Sequence, residues 1–234
     1  MSISHNLLVL EQRIESACSR AGRSRSEVAL LAVTKTRTPA EVDEAIGAGI
    51  KHVGENRVQE AQTKKPQVTR PATWHLVGSL QSNKVKKALE LFDFIQSVDS
   101  LSLAEELQHR SRQLDRSIDV LIEVNTSGET SKHGVTPDEV PGIVTEVLRL
   151  DRLRLLGLMT IGPGFAIHDP EASRPCFEIL RTLAEDCRRR FSIPLPHLSM
   201  GMSSDFEVGI EAGATIIRVG TAIFGPRPAP AKPG

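Results

Sequence analysis

V-A-L-L-A-V-T-K-T, residues 28–36, is a near-continuous apolar run that ends in a lysine. A run this short, followed directly by a helix-capping signal, reads as a strand buried on both faces, as in a parallel sheet. In such a strand Leu31, Val33 and Lys35 share one face, so the lysine points where two apolar neighbours point. The carboxyl ends of parallel strands are where barrels and open sheets carry their chemistry. A desolvated lysine there has a lowered pKa and can attack a carbonyl to form a Schiff base. A lysine that only reaches back to water leaves the same trace in a sequence, so this stretch alone does not decide between the two.

The unit begun by this strand recurs along the chain. Thr38, Pro39 and Glu41 form a capping box with proline at the first helical position, and the helix ends near Gly47 and Gly49. Further strands are expected at residues 50–56, 73–79, 92–98, 118–125, 153–161, 195–200 and 215–221, with helices between them. Thr136, Pro137 and Glu139 repeat the cap-proline-glutamate device, and a short helix is expected from Asp205 with Ser204 and Glu207 as its capping box. Strict alternation of eight strands with helices predicts an α/β chain folded as a closed (β/α)8 TIM barrel rather than an open doubly wound sheet. Ile3, Leu7, Leu10, Ile14, Ala17 and Ala21 fall on one stripe and predict an extra N-terminal helix over residues 3–21 that packs on the barrel. One barrel domain is expected over residues 1–225, followed by a proline-rich, disordered tail over 226–234.

Composition narrows the partners. Acidic and basic side chains balance at 29 each, so no global field favours nucleic acid or an anionic membrane. Cys18, Cys176 and Cys187 have no metal-ligand spacing, and neither do His52 and His197, so no metal site is expected. The sequence shows no signal-peptide pattern and no apolar stretch of membrane-spanning length. A cytoplasmic protein is the expectation.

Barrel closure puts strand eight beside strand one, and so R-V-G-T, residues 218–221, beside Lys35. Barrels often bind phosphate with the loops after strands seven and eight. Here those loops offer G-M-S-S-D with Ser203, and then Gly220 and Thr221: a glycine that lets an anion approach the backbone, and two hydroxyl donors. A phosphate cradle next to a Schiff-base lysine fits a ligand with both an aldehyde and a phosphate, such as pyridoxal 5'-phosphate (PLP). Arg218 shares a strand face with Ile216 and Gly220 and should point inside. There it needs a carboxylate, for which Glu55 and Glu123 are available, or a ligand acceptor. Facing a pyridine nitrogen, it would keep that nitrogen unprotonated and the ring a weak electron sink. His75, inside an apolar strand beside Trp74, reads as a satisfied core histidine. Asn83 and Lys84, opening the helix after strand three, are placed for the cavity mouth.

A-V-T-K-T, H-V-G-E-N-x-V-Q-E, W-H-L-V-G-x-L-Q-S-N-K, L-S-M-G-M-S-S-D-F and R-V-G-T-A-I-F-G together resemble the PLP homeostasis proteins (YggS in bacteria, PROSC in animals). The resemblance covers residues 28–227. It implies a fold-type III PLP-binding barrel like the N-terminal domain of alanine racemase, with the cofactor on Lys35. It further implies that Ser203, Gly220 and Thr221 hold the phosphate, Arg218 faces the ring nitrogen and Asn56 lines the ring. Met200 and Met159, at the ends of strands seven and six, are placed either on the cofactor or in the core. Lys132 matches a lysine at which family members hold cofactor a second way, although a lysine in a polar loop is ordinarily just solvated. Where relatives often carry a second lysine two positions past the first, this chain has Arg37, which forms no Schiff base. The tail also lacks the adjacent lysines of some bacterial relatives.

A two-base alanine racemase needs a tyrosine opposite its lysine, and this sequence has none. The barrel also consumes the sequence, leaving no second, dimerising domain, so a monomer is expected. The resemblance therefore implies a non-catalytic carrier in intracellular PLP homeostasis. It would hold PLP as a lysine Schiff base and extend to delivering it to PLP-dependent apoenzymes. Two alternatives come from other classes: a weak PLP-dependent racemase or lyase with one base, and a Schiff-base aldolase acting on a phosphorylated sugar. A purely structural barrel would make Lys35 replaceable.

Overall fold

Apolar residues on both faces of short strands force those strands between two apolar layers, and the chain meets this demand by closing on itself. The structure, a computed structural model, describes residues 2–226. Its elements run α1 (Ile3–Arg20), β1 (Ala29–Val33), α2 (Pro39–Gly47), β2 (His52–Glu55), α3 (Val58–Lys64), β3 (Thr73–Leu76), α4 (Val85–Leu91) and β4 (Phe94–Val98). They continue as α5 (Leu101–Gln113), β5 (Ile118–Glu123), α6 (Val140–Val147), β6 (Leu153–Met159), α7 (Arg174–Phe191), β7 (His197–Ser199), α8 (Phe206–Glu211), β8 (Ile216–Val219) and α9 (Thr221–Phe224). The strands pair in sequence order, all parallel, and β8 returns to β1 to close the barrel. The expected tail falls on residues 227–234, outside the described residues, apart from Pro226.

Strand side chains alternate between a large apolar layer outside the sheet and the barrel interior. Leu30, Ala32, Val53, Trp74, Ile95, Ile122, Leu198 and Val219 belong to the large layer between sheet and helices. Leu31, Val77 and Ile216 form one cluster inside the barrel, and Phe94, Leu121 and Met159 a second. Close approach is sharpest at Gly157, where a Cβ would lie 1.8 Å from the carbonyl oxygen of His197, so β6 meets β7 only because that residue is glycine.

Local signals set most boundaries as expected. At α2 both halves of the capping box form: the Thr38 hydroxyl accepts the Glu41 N–H at 3.3 Å, and the Glu41 carboxylate accepts the Thr38 N–H at 2.7 Å. The box of Thr136 and Glu139 also forms, but it opens a 3-10 turn that leads into α6. The expected box of Ser204 with Glu207 does not form. Asp205 is the residue at the start of α8, and its buried carboxylate accepts the Met202 N–H and the Ser173 hydroxyl, both at 2.6 Å. That leaves Glu207 to bridge Arg13 of α1 at 3.1 Å. α1 buries Leu7, Leu10 and Ile14 and lies against α8 and α9. Arg23, just after α1, donates to the carbonyls of Ile210 at 2.9 Å and Ala214 at 2.8 Å.

Candidate functional site

Lys35 lies two residues past Val33, half-buried, in the turn between β1 and α2. α3 holds this turn on both sides. Lys64 donates from Nζ to the carbonyl of Thr34 at 2.7 Å, and Glu60 accepts the N–H of Thr36 at 3.1 Å. Lys64 also pairs at 2.5 Å with Glu55, which takes the Thr34 hydroxyl as well, at 2.6 Å. Burial pushes the Glu55 carboxyl above its ordinary range, while the bonds from Lys64 and Thr34 pull the other way. Thr36 adopts φ 65°, an expensive conformation for a β-branched residue.

Register brings most of the expected site together. β1 pairs with β8 as Leu31 with Arg218 and Ala32 with Val219, so Gly220 abuts Val33. A Cβ on Gly220 would lie 3.1 Å from the Val33 carbonyl oxygen. β1 pairs with β2 as Val33 with Gly54, and this register, carried two residues on, sets Asn56 level with Lys35. The Ser203 hydroxyl accepts the N–H of Gly220 at 3.2 Å and that of Ala222 at 3.5 Å. The Ser203 oxygen thus takes both N–H groups at the entry to α9, which leaves its own hydroxyl proton, beside Thr221, to donate to an anion. The Asn56 Oδ1 is buried with no partner, an acceptor left for a ligand donor. The residues present fit a ligand bearing both a carbonyl and a phosphate.

Met200 falls outside this group. It is fully buried in the layer between sheet and helices, while Met159 faces the barrel interior. Lys132 reaches across to the β6–α7 loop, donating to the Gly162 carbonyl at 2.6 Å and pairing with Glu129 at 2.8 Å. It joins two loops at the rim.

Arg218 is buried, and neither carboxylate named for it is its bonded partner. Glu55 faces the helices with Lys64. Arg218 instead donates from Nη1 to the Ser199 hydroxyl at 2.6 Å and from Nη2 to the Thr160 carbonyl at 2.7 Å. Ser199 in turn donates to Gln96 Oε1 at 2.6 Å. The Gln96 amide lies 3.1 Å from His75 Nδ1, and His75 Nε2 lies 3.1 Å from His52 Nδ1. His75 is thus a buried, satisfied histidine, as the sequence indicates. Burial, aided by His52 and His197, drives its pKa down to about 3. Burial also lowers the pKa of Arg218 to about 10, with Glu123 opposing.

Glu123, at the end of β5, was read only as an ion-pair partner. Burial, then Asp99, push its pKa up to about 7, with Arg218 opposing. It lines a cavity of about 810 Å³ at the carboxyl ends of β2, β3 and β5, together with Asn56, Glu60, Val77, Lys84 and His133. Lys84 thus reaches the cavity mouth as expected. Sequence reasoning gave no role to Gln96 or Ser199 because a polar residue inside a strand looks alike whatever it bonds. Polarity at the inward positions of β2, β3, β4 and β7 was the available signal.

The alanine racemase N-terminal domain model matches residues 5–228. The PLP homeostasis protein of Aquifex aeolicus is 44% identical over 97% of this chain and 99% of its own length. The structure of PipY from Synechococcus elongatus PCC7942 with PLP bound is 37% identical, with a TM-score of 0.83 over 96% of this chain and 100% of that one. An alanine racemase of Clostridium difficile 630, 14% identical with a TM-score of 0.74, shares the fold over 98% of this chain and 57% of its own. This chain belongs to the family of pyridoxal phosphate homeostasis proteins, on the barrel of the alanine racemase N-terminal domain.

Proposed function

We propose that this protein binds PLP through a Schiff base at Lys35 and serves as a non-catalytic carrier in PLP homeostasis. The observation that carries the reading is the β1–β8 register. It brings Gly220 and Thr221 up to the Lys35 turn with Arg218 below them, level with Leu31, and there the Ser203 hydroxyl rests on the N–H groups of Gly220 and Ala222. PLP supplies an aldehyde that condenses reversibly with an amine. The chain's own residues do the rest. Ser203, Gly220 and Thr221 receive the phosphate, Asn56 lies beside the ring, and Arg218 brings a donor to the ring nitrogen. An arginine at that nitrogen donates its hydrogen bond without giving up its proton, so little electron demand builds on the ring. With no tyrosine in the sequence, no tyrosine stands opposite the lysine as a second base. The relatives' name and PipY's bound PLP support the same reading. Met200, from the outer layer, would support the site only by packing behind it. Delivery of PLP to apoenzymes, a cytoplasmic setting and a monomeric state extend the proposal.

Borohydride reduction of the PLP-loaded protein, followed by peptide mapping, tests it. The expected result is a pyridoxyl group on Lys35 that disappears in Lys35→Ala. A folded protein labelled elsewhere, Lys132 included, or not labelled at all, overturns it. One observation favours a second reading: Glu123, with a pKa near 7 at the cavity wall, is a base suited to a weak one-base PLP reaction. Amino-acid turnover above that of free PLP, lost in Glu123→Gln, would establish that reading instead.

A further inference from the structure

The inward positions of barrel strands are ordinarily filled by branched aliphatic side chains. Here the level beneath Arg218 is polar. His75, Gln96 and Ser199, from three different strands, are buried there, and His52 sits half-buried at the far end. Burying such groups is unfavourable unless each finds a partner, and a fully satisfied buried network fixes one arrangement of its members. Every link is present, at 2.6, 2.6, 3.1 and 3.1 Å from Arg218 to His52.

The links also have a direction. A guanidinium only donates, so the Ser199 oxygen accepts from it. The Ser199 hydroxyl proton then goes to Gln96 Oε1, and the Gln96 amide donates to His75 Nδ1. That makes His75 a neutral imidazole with its proton on Nε2, which donates to His52 Nδ1. Stacking of His75 on Phe94, centroids 4.9 Å apart, holds the ring plane that this geometry needs. A neutral tether has a different consequence from a carboxylate partner: it holds the guanidinium in place without cancelling its charge.

We infer that Ser199, Gln96, His75 and His52 form a directional relay that positions Arg218 for its ligand, so that binding depends on side chains that touch no ligand. The inference rests on the reading of Arg218 as a PLP contact, and the test separates the two. In the full-length protein, PLP affinity is measured by absorbance titration for Ser199→Ala, Gln96→Leu, Arg218→Lys and the Gln96→Leu/Arg218→Lys double variant. Folding is checked by circular dichroism. Loss of a bond to a charged group sets the scale, and a weakening of about tenfold is expected for Ser199→Ala and for Gln96→Leu. Ser199→Thr, which keeps the hydroxyl, should restore affinity. In the Arg218→Lys background the effect of Gln96→Leu should fall below about twofold, since coupled residues are not additive.

Histidine nitrogen NMR of the ligand-free protein gives an independent readout. His75 should show the Nε2–H tautomer, and lose that preference in Gln96→Leu. Additive effects of Gln96→Leu and Arg218→Lys, unchanged affinity in a folded Gln96→Leu, or an Nδ1–H tautomer at His75 overturns the relay. Unchanged affinity in Arg218→Lys removes the Arg218 contact itself, and the relay's function with it. If Gln96→Leu does not fold, Ser199→Ala, which removes a single oxygen, takes its place in the cycle.

Discussion

At Thr36, the residue next to Lys35, the backbone is at odds with its side chain. Its φ of 65° belongs to glycine and asparagine, and a β-branched side chain there stores strain. Thr36→Gly is expected to raise stability by about 1 kcal/mol in urea denaturation, the strain relieved exceeding the entropy that glycine adds to the unfolded chain. Its effect on PLP affinity should have the opposite sign, because a looser turn presents Lys35 less exactingly. Two buried titrating groups give pH dependences of opposite sign. His75 has its pKa lowered from 6.5 to about 3, so the unfolded chain takes up a proton there that the folded one does not. Its contribution is complete above pH 6.5 and is lost on acidification towards pH 3, on the order of 5 kcal/mol in all. Glu123, raised from 4.5 to about 7, acts in reverse: its contribution is complete below pH 4.5 and is lost as pH rises through 7. Denaturation of the ligand-free protein across pH 4–8 should therefore show a smaller loss of stability between pH 4.5 and 7 in Glu123→Gln than in the parent.

At the level of elements, α3 matters beyond its length. It supplies Lys64 and Glu60, one helical turn apart, to the two flanks of Lys35. Lys64→Met strands the Glu55 carboxylate in an apolar layer and is expected to cost about 3 kcal/mol in stability. Adding Glu55→Leu should recover much of that loss, since the charge then left unpaired is gone. At α2, Thr38→Ala removes a capping hydroxyl and should cost about 1 kcal/mol. This capping box was readable because its signal is local: four consecutive residues contain all of it. The box expected at Ser204 failed because Asp205 answers to Met202 and to Ser173, whose place in space no local pattern reveals. Met200, which the sequence leaves either on the cofactor or in the core, is buried in the large apolar layer. On β7 the apolar residues Leu198 and Met200 face the helices, while His197 and Ser199 face inward. A reading that sends apolar side chains inward therefore reverses this strand, and the reversal occurs where the barrel holds its polar relay.

At the scale of the molecule, eight strand-and-helix units in strict alternation were enough to specify a closed barrel, and closure alone predicted that residues 218–221 would lie beside the carboxyl end of β1, where Arg218 is level with Leu31 and Gly220 with Val33. Hidden from the sequence were the interior contacts, which join β2, β3, β4, β7 and β8 across the barrel and have no fixed spacing along the chain. α1 closes the outside of the same seam by packing on α8 and α9. Leu10→Ala should cost about 3 kcal/mol as a buried large-to-small change, measured by urea denaturation. The β8-to-β1 pairing also imposes a schedule on synthesis. Lys35 leaves the ribosome early, whereas Ser203, Arg218 and Gly220 come from the last strands to emerge. Until then a growing chain is an open sheet with two unpaired edges, and its lysine lacks the part of its surroundings that β8 and the loop before α8 supply. If Lys35 holds PLP as proposed, aldehyde capture reports completion: only a molecule translated through β8 and the start of α9 has the whole of the proposed site.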